Sequence, residues 1–236
     1  MTAGKLYIVA TPIGNLGDMT LRAIETLKSV DLIAAEDTRH TGILLKHFGI
    51  SGRQIPYHEH NEKIVVPQLL AQLLEGKNIA LVCDAGTPGI ADAGFLLVRE
   101  CQKNSIEIFP IPGASSLLAA LVIAGLPIDR FCFEGFLPRS SGRLKSRLTQ
   151  LKEDEHTLVF FESPHRVIKS LPVMLEVLGD RPAFIGRELT KKFEQSYRGT
   201  ISQLLDIIRG KPVKGELVLI VAGYRKGIDE RKVHIG

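Results

Sequence analysis

At 236 residues, with 44% hydrophobic and 24% charged positions, the chain can build one large α/β domain or two smaller ones, and no Pro-, Ser- or Gln-rich tract marks a linker or disordered tail. The net charge of +4 suits a polyanionic partner without requiring one, while the absence of Trp and an aromatic content of 6% argue against extensive base-stacking platforms. Cys83, Cys101 and Cys132 lie far apart with no CxxC pair, which excludes a disulfide framework or zinc knuckle and leaves them as small core residues.

From the N-terminus, the apolar run of Leu6–Ala10 breaks at Thr11-Pro12, too short for a signal-peptide core or a membrane span of about 20 residues. A cytoplasmic protein with no membrane partner is therefore expected. Short β-branched runs then alternate with longer stretches of helical period. Strands are predicted at 6–10, 31–35, 78–83, 107–111, 131–135, 157–162, 183–188 and 216–223, and helices near 20–30, 39–48, 63–75, 91–103, 115–124, 142–152, 165–178 and 201–209. Asp18 and Thr20 read as start signals for the first helix and Ser163-Pro164 for the seventh, while Gly49, Gly76, Gly125 and Gly179 sit where a helix ends in a left-handed residue. This order implies two α/β domains with mainly parallel sheets. Gly125-Leu126-Pro127 interrupts the series, so the boundary is placed near 112–128, dividing the chain into 1–118 and 119–236.

Open α/β sheets bind ligands at the carboxyl ends of their strands, where this sequence concentrates small residues. Four such segments stand out: Thr11–Asn15, Asp84–Asp92 (DAGTPGIAD), Pro112–Ser116 and Glu162–His165. Each alone can be a tight turn; together they suggest a site that grips its ligand through main-chain groups. Asp84 or Asp92 can accept from hydroxyls or an ammonium group. Neither GxGxxG nor GxxxxGK[ST] occurs, so the usual dinucleotide and P-loop sites lack their key feature.

LYIVATPIGNLGD, AAEDTRHTGILLKHFGI, HEHNE, LVCDAGTPGIAD, IPGASS, FEGFLPR and GRELTKKFE together resemble the ribosomal small-subunit RNA (16S rRNA) 2′-O-methyltransferase I family, of the tetrapyrrole-methylase-like class, from about Leu6 to Gly223. The resemblance implies a tetrapyrrole-methylase-like fold with S-adenosyl-L-methionine in a cleft between two α/β domains, and a homodimer. It implies that Pro12, Asp84, Gly86, Thr87, Ile90, Asp92, Ser115 and Ser116 line the cofactor pocket, closed by Phe161 and Glu162. By the same analogy the substrate is a cytidine ribose in the decoding centre of 16S rRNA or the small subunit. Relatives often continue into a small helical domain, where this chain ends in the polar tail RKGIDERKVHIG.

The EDTRHT segment gathers Glu36, Asp37, Arg39 and His40 at a helix start; capping explains the acids but not the cations so near the positive end. Arg139, Arg143, Lys145 and Arg147 form a basic cluster suited to RNA phosphates or to a solvated helix face. Methyl transfer to a ribose oxygen needs a positioned base, for which Glu36 and Glu188 are the candidates, with Arg39 and Lys191 as electrostatic or phosphate contacts. His58 and His60 alternate on a strand as metal ligands do, but no third ligand stands at a convincing spacing, so no metal is expected. Two other readings stay open: a methyltransferase of a small, tetrapyrrole-type molecule, and a non-catalytic RNA-binding factor that keeps the fold.

Overall fold

The chain divides into two compact units, Met1–Ser116 and Leu117–Gly236. The computed structural model describes residues 2–210 and 214–226; most of the polar tail, from residue 227, lies outside them.

In the first unit β1 (Leu6–Val9), β2 (Leu32–Ala35), β3 (Gln54–Pro56), β4 (Ile79–Val82) and β5 (Ile108–Ile111) form one sheet in the order β3-β2-β4-β1-β5, every pair parallel. Between them run α1 (Leu21–Ser29), α2 (Thr38–His47), α3 (Glu62–Leu74) and α4 (Phe95–Lys103); α5 (Ser116–Ala124) follows β5 and, but for its first residue, belongs to the second unit. The inner strands β2 and β4 are apolar and buried at every position because both of their faces are covered. Leu32, Ala34, Ile79 and Leu81 pack with Leu69, Leu73 and Leu97 of α3 and α4, while Ile33, Ala35, Ala80 and Val82 pack with Ala23, Leu27, Leu44 and Leu45 of α1 and α2. Thr20 caps α1 through its side-chain oxygen and Asp37 caps α2; Asp18 instead closes a short 3₁₀ turn capped by Asn15.

The second unit holds β6 (Phe131–Phe136), β7 (Thr157–Glu162), β8 (Pro182–Arg187), β9 (Gln195–Thr200) and β10 (Leu217–Val221) in the order β6-β7-β10-β8-β9, with α6 (Ser141–Gln150), α7 (Pro164–Leu178) and α8 (Ile201–Gly210). Here the expectation of mainly parallel pairing needs correction. Only β6–β7 is parallel; β10 runs antiparallel to β7 and to β8, and β8–β9 is an antiparallel hairpin. An apolar run buried on both faces reads alike in either orientation, so β10 could not declare its direction. Leu158, Phe160, Ile185, Leu219 and Val221 pack against Leu148, Leu171, Met174 and Leu204 of the three helices.

Gly49, Gly76, Gly125 and Gly179 all take positive φ, between 62° and 96°, as their stop positions require. The fourth helix begins at Phe95 rather than near 91, because Gly89 (φ 82°) and Ala91 (φ 64°) hold the preceding loop in left-handed turns. Cys83 and Cys101 are core residues as expected, whereas Cys132 is only partly buried.

Candidate active site

Within the first unit, three of the four small-residue segments converge at the carboxyl ends of β1, β4 and β5. Thr11 and Gly86 exchange main-chain hydrogen bonds, N to O at 2.8 and 3.0 Å, and the Thr11 hydroxyl donates to the Cys83 carbonyl at 3.0 Å. The Thr87 hydroxyl donates to the Ala114 carbonyl at 3.4 Å, tying the long loop to the turn after β5. Gly86 (φ 87°) turns at a buried position, and Gly113 lies so close to Ala10 that a β-carbon there would stand 3.0 Å from the Ala10 methyl. Pro12 is buried, Thr87, Ser115 and Ser116 are partly so, and Ile90 is exposed. These loops carry little side-chain bulk and are cross-linked through main-chain groups.

A knot of carboxylates adjoins them. The Asp84 N–H donates to Glu36 Oε2 at 3.2 Å, and the Asp37 N–H returns to Asp84 Oδ1 at 3.1 Å, joining the ends of β2 and β4. Asp92 sits in this field. Burial, and then the charges of Glu36, Glu59 and Asp84, push its carboxyl up to about 6, against a Cys83 hydrogen bond that favours the ionised form. Burial, with Asp92 and Glu36 beside it, also drives the Cys83 thiol far up, so it stays a thiol. Sequence reading singled out Asp92 as a ligand contact and missed it as a titrating group, because its partners come from other strand ends.

Arg39 forks onto its own neighbour: Nη2 and Nε reach the Asp37 carboxylate at 2.6 and 3.0 Å, and the side chain is 89% exposed. That hydrogen bond, with the Arg39 N–H, holds the Asp37 carboxyl far below its usual range. His58 and His60 stand with ring centroids 5.9 Å apart, and among the described residues no group of three His, Cys, Asp or Glu could hold a metal ion.

In the second unit Phe161 lies edge-on to Phe133 and Phe136, at 4.8 and 5.6 Å. Glu162 is fully buried, and both its oxygens are engaged: Oε2 accepts from the Ser170 hydroxyl at 2.5 Å and Oε1 from the Ser163 N–H at 2.9 Å, with Arg166 Nε 3.4 Å away. Arg166 Nη2 in turn donates to the Leu137 and Pro138 carbonyls. The Glu162 carboxylate thus braces the loop after β6, a role that no sequence pattern announced.

Glu188, at the end of β8, accepts from Lys191 Nζ at 3.0 Å and from the Glu216 N–H at 2.9 Å. Burial raises its pKa, but those donors outweigh it and the net shift is downward. A carboxylate so stabilised is a poor proton acceptor, so the geometry disfavours Glu188 as a base. Lys191 also bonds Glu216 at 3.0 Å, and its pKa rises despite burial.

The basic cluster divides. Arg147 grips Glu134 with two bonds of 2.8 and 2.9 Å, and Lys145 pairs with Glu176 at 2.5 Å. Arg139 and Arg143 are exposed and, among the described residues, neither forms a salt bridge; Arg143 Nε donates to the Ser140 hydroxyl at 3.0 Å.

Residues 5–205 match the family model for tetrapyrrole (corrin/porphyrin) methylases. Among solved structures, uroporphyrin-III-C-methyltransferase from Thermus thermophilus aligns with a TM-score of 0.64 over 93% of this chain and 94% of that one, at 21% identity. A cobalt precorrin-4 methyltransferase aligns at 0.67 over 92% and 94%, also at 21% identity, so the fold is shared. Fold and family model together define a methyltransferase of the tetrapyrrole-methylase class, which uses S-adenosyl-L-methionine. The chain is 52% identical over 221 residues to the ribosomal RNA small subunit methyltransferase I of Synechocystis sp. (strain ATCC 27184 / PCC 6803 / Kazusa), covering 93% of this chain and 79% of that protein. It is 51% identical over 225 residues to the protein of the same name from Escherichia coli O157:H7, covering 94% and 79%. The chain belongs to the ribosomal RNA small subunit methyltransferase I family, within the tetrapyrrole methylases.

Proposed function

We propose that this protein methylates the ribose 2′-hydroxyl of a cytidine in the decoding centre of 16S rRNA, working in the cytoplasm as a homodimer. The observation that carries the RNA reading is identity of about half to proteins named as ribosomal RNA methyltransferases, against 21% to the two enzymes named for tetrapyrrole substrates.

The interlaced loops of the first unit fit S-adenosyl-L-methionine: Pro12, Gly86, Thr87, Ile90, Ser115 and Ser116 offer main-chain groups and little bulk, and Asp84 and Asp92 supply acceptors for hydroxyls or an ammonium group. Phe161 contributes an aromatic face, and Glu162 acts through the loops it fastens. The cofactor supplies an activated methyl group on a sulfonium; the protein must align the ribose oxygen and accept its proton. Between the two candidate bases, Glu36 is favoured over Glu188, and Asp92 joins it as the group whose ionisation the cluster tunes. Arg39 serves the substrate side, while Arg139 and Arg143 carry phosphate contacts.

The test is to incubate the protein and labelled cofactor with small ribosomal subunits and with free 16S rRNA, map the labelled nucleotide, and follow the rate with pH. Asp92 titrates near 6, so its ionised form accumulates as pH rises through that value and methylation should rise with it; Asp92→Asn should flatten that limb. Stability moves oppositely: a raised carboxyl pKa means the folded state holds an extra proton between the usual carboxylate range and about 6, so stability falls as pH rises through that window. Label on a base, or on a small molecule alone, would overturn the reading.

A further inference from the structure

The turn joining β8 to β9, residues 188–194, is built more firmly than a surface hairpin needs. Glu188 and Thr190 both adopt left-handed backbone, with φ of 48° and 67°, although neither is glycine or asparagine. Such strain persists only where surrounding contacts over-determine it, and it clusters at functional sites. Those contacts are present. The Glu188 and Glu216 backbones bond, Lys191 bridges both carboxylates, and the Thr190 N–H donates to Glu194 Oε2 at 2.5 Å. Arg187 Nη1 donates to the carbonyl of Phe193 itself at 3.2 Å. Opposite, a β-carbon on Gly215 would stand 2.3 Å from Glu188 Cδ, so the turn is packed down without slack.

What this frame presents is one ring. Phe193 is 66% exposed, with the Lys192 ammonium 5.7 Å from its centroid. Its exposed chain neighbours Lys192, Glu194, Gln195 and Ser196 are polar, so along the described turn the ring stands among polar and charged side chains. Protein interfaces are built the other way, with apolar cores depleted in Lys and Glu. An exposed ring with a cation over it, carried on a turn whose backbone is tied down, matches an unpaired nucleobase with its phosphate, the base stacking on the ring and the ammonium turning to the phosphate.

We propose that Phe193 is a stacking platform for an unpaired base of the substrate RNA, with Lys192 facing the adjoining phosphate. The inference rests on the RNA reading above and adds a binding residue to it. A single platform is compatible with the low aromatic content, which excludes an array of them.

Because the chain has no tryptophan, Phe193→Trp installs one reporter at the proposed contact. Its emission should be quenched by an unstructured oligoribonucleotide and little changed by the same sequence in a duplex. Phe193→Ala, and Phe193→Leu, which keeps an apolar side chain without the ring, should weaken binding of that oligoribonucleotide about tenfold and raise KM for RNA. Phe193→Trp should keep wild-type affinity, and S-adenosyl-L-methionine affinity should stay unchanged in all three. Equal quenching by single strand and duplex, wild-type RNA affinity in Phe193→Ala, or emission that shifts with protein concentration in the absence of RNA would each overturn the proposal, the last by showing a second copy on the ring. If the wild-type protein leaves ribosomal RNA unmethylated while Phe193→Trp is still quenched by single strands, the functional reading fails and the platform stands. If the wild type methylates and Phe193→Ala does so equally well, the platform alone fails.

Discussion

In the first unit the loops beyond β1, β4 and β5 are tied together largely through backbone: the Thr11–Gly86 bridge, a threonine hydroxyl on a carbonyl, and glycines that turn or approach where no side chain fits. In the second unit the loops beyond β6, β7 and β8 are tied by charged side chains, with Glu162, Arg166 and Ser170 at one, Glu134 and Arg147 at another, and Glu188, Lys191 and Glu216 at the third. The contrast separates two tasks. Backbone fastening leaves a compact surface of N–H and C=O groups for a small ligand, whereas ion-pair fastening consumes charge, so that only unpaired cations remain for a polyanion. The two units should therefore fail differently when broken.

The largest effect is expected at Gly86. Its φ of 87° leaves room for a methyl, since a β-carbon would meet nothing nearer than Ile13 Cγ2 at 3.5 Å, but the backbone conformation penalises any side chain. Gly86→Val should cost roughly 1–3 kcal/mol of stability and weaken S-adenosyl-L-methionine binding by about 100-fold or more, while Gly86→Ala should show a smaller loss of both. Calorimetric titration of the folded variants separates the two effects. Unchanged affinity in folded Gly86→Val would remove this loop from the cofactor site and end the comparison on that side.

An intermediate effect is expected at Arg166. Removing it leaves the buried Glu162 carboxylate with only Ser170 and the Ser163 N–H, and frees the Leu137 and Pro138 carbonyls. Breaking a buried pair costs several kcal/mol; because the Arg166 side chain is 27% exposed, we expect about 2 kcal/mol for Arg166→Ala, read by chemical denaturation. Cofactor affinity should fall less than in Gly86→Val, since the main-chain cradle lies elsewhere. A change within about 0.5 kcal/mol would show that the pair fastens nothing.

The same contrast decides what the sequence disclosed. Strands covered on both faces, such as Ile79–Val82 and Leu217–Val221, declare themselves as unbroken apolar runs. The edge strands β3 and β9 do not: Gln54-Ile55-Pro56 is short and ends in proline, and Gln195–Thr200 is mostly polar, so neither shows an apolar run. The backbone-built loops were legible because glycine, proline and small residues at strand ends have few other uses. The ion-pair fasteners were not, since Glu134 with Arg147, or Lys191 with Glu216, reads in sequence as ordinary surface charge until the fold brings the partners together. Asp92 is the mixed case: it was visible as a loop acid, but its raised pKa comes from burial and from Glu36, which belongs to a different strand end.

The smallest effects should separate Arg147 from Arg143, two cations one helical turn apart on α6. Sequence treats them as equal members of a basic cluster. In the structure Arg147 is bound by two bonds to Glu134, whose side chain is only 8% exposed, so its charge is already matched. Arg143 is exposed and donates to the Ser140 hydroxyl without a salt bridge among the described residues, and Arg139 lies exposed in the loop just before α6. A cation that contacts a phosphate releases counterions, so each lost contact should make the decline of RNA affinity with salt shallower by roughly one unit of logarithmic slope. Arg143→Ala and Arg139→Ala should show that change with stability within about 0.5 kcal/mol of wild type. Arg147→Ala should do the reverse, keeping the wild-type slope and losing about 1 kcal/mol as Glu134 is left without its partner. Equal slopes in all three variants would mean that pairing with a carboxylate does not decide which cations meet RNA, and the division of labour drawn between fastening charges and binding charges would have to be abandoned.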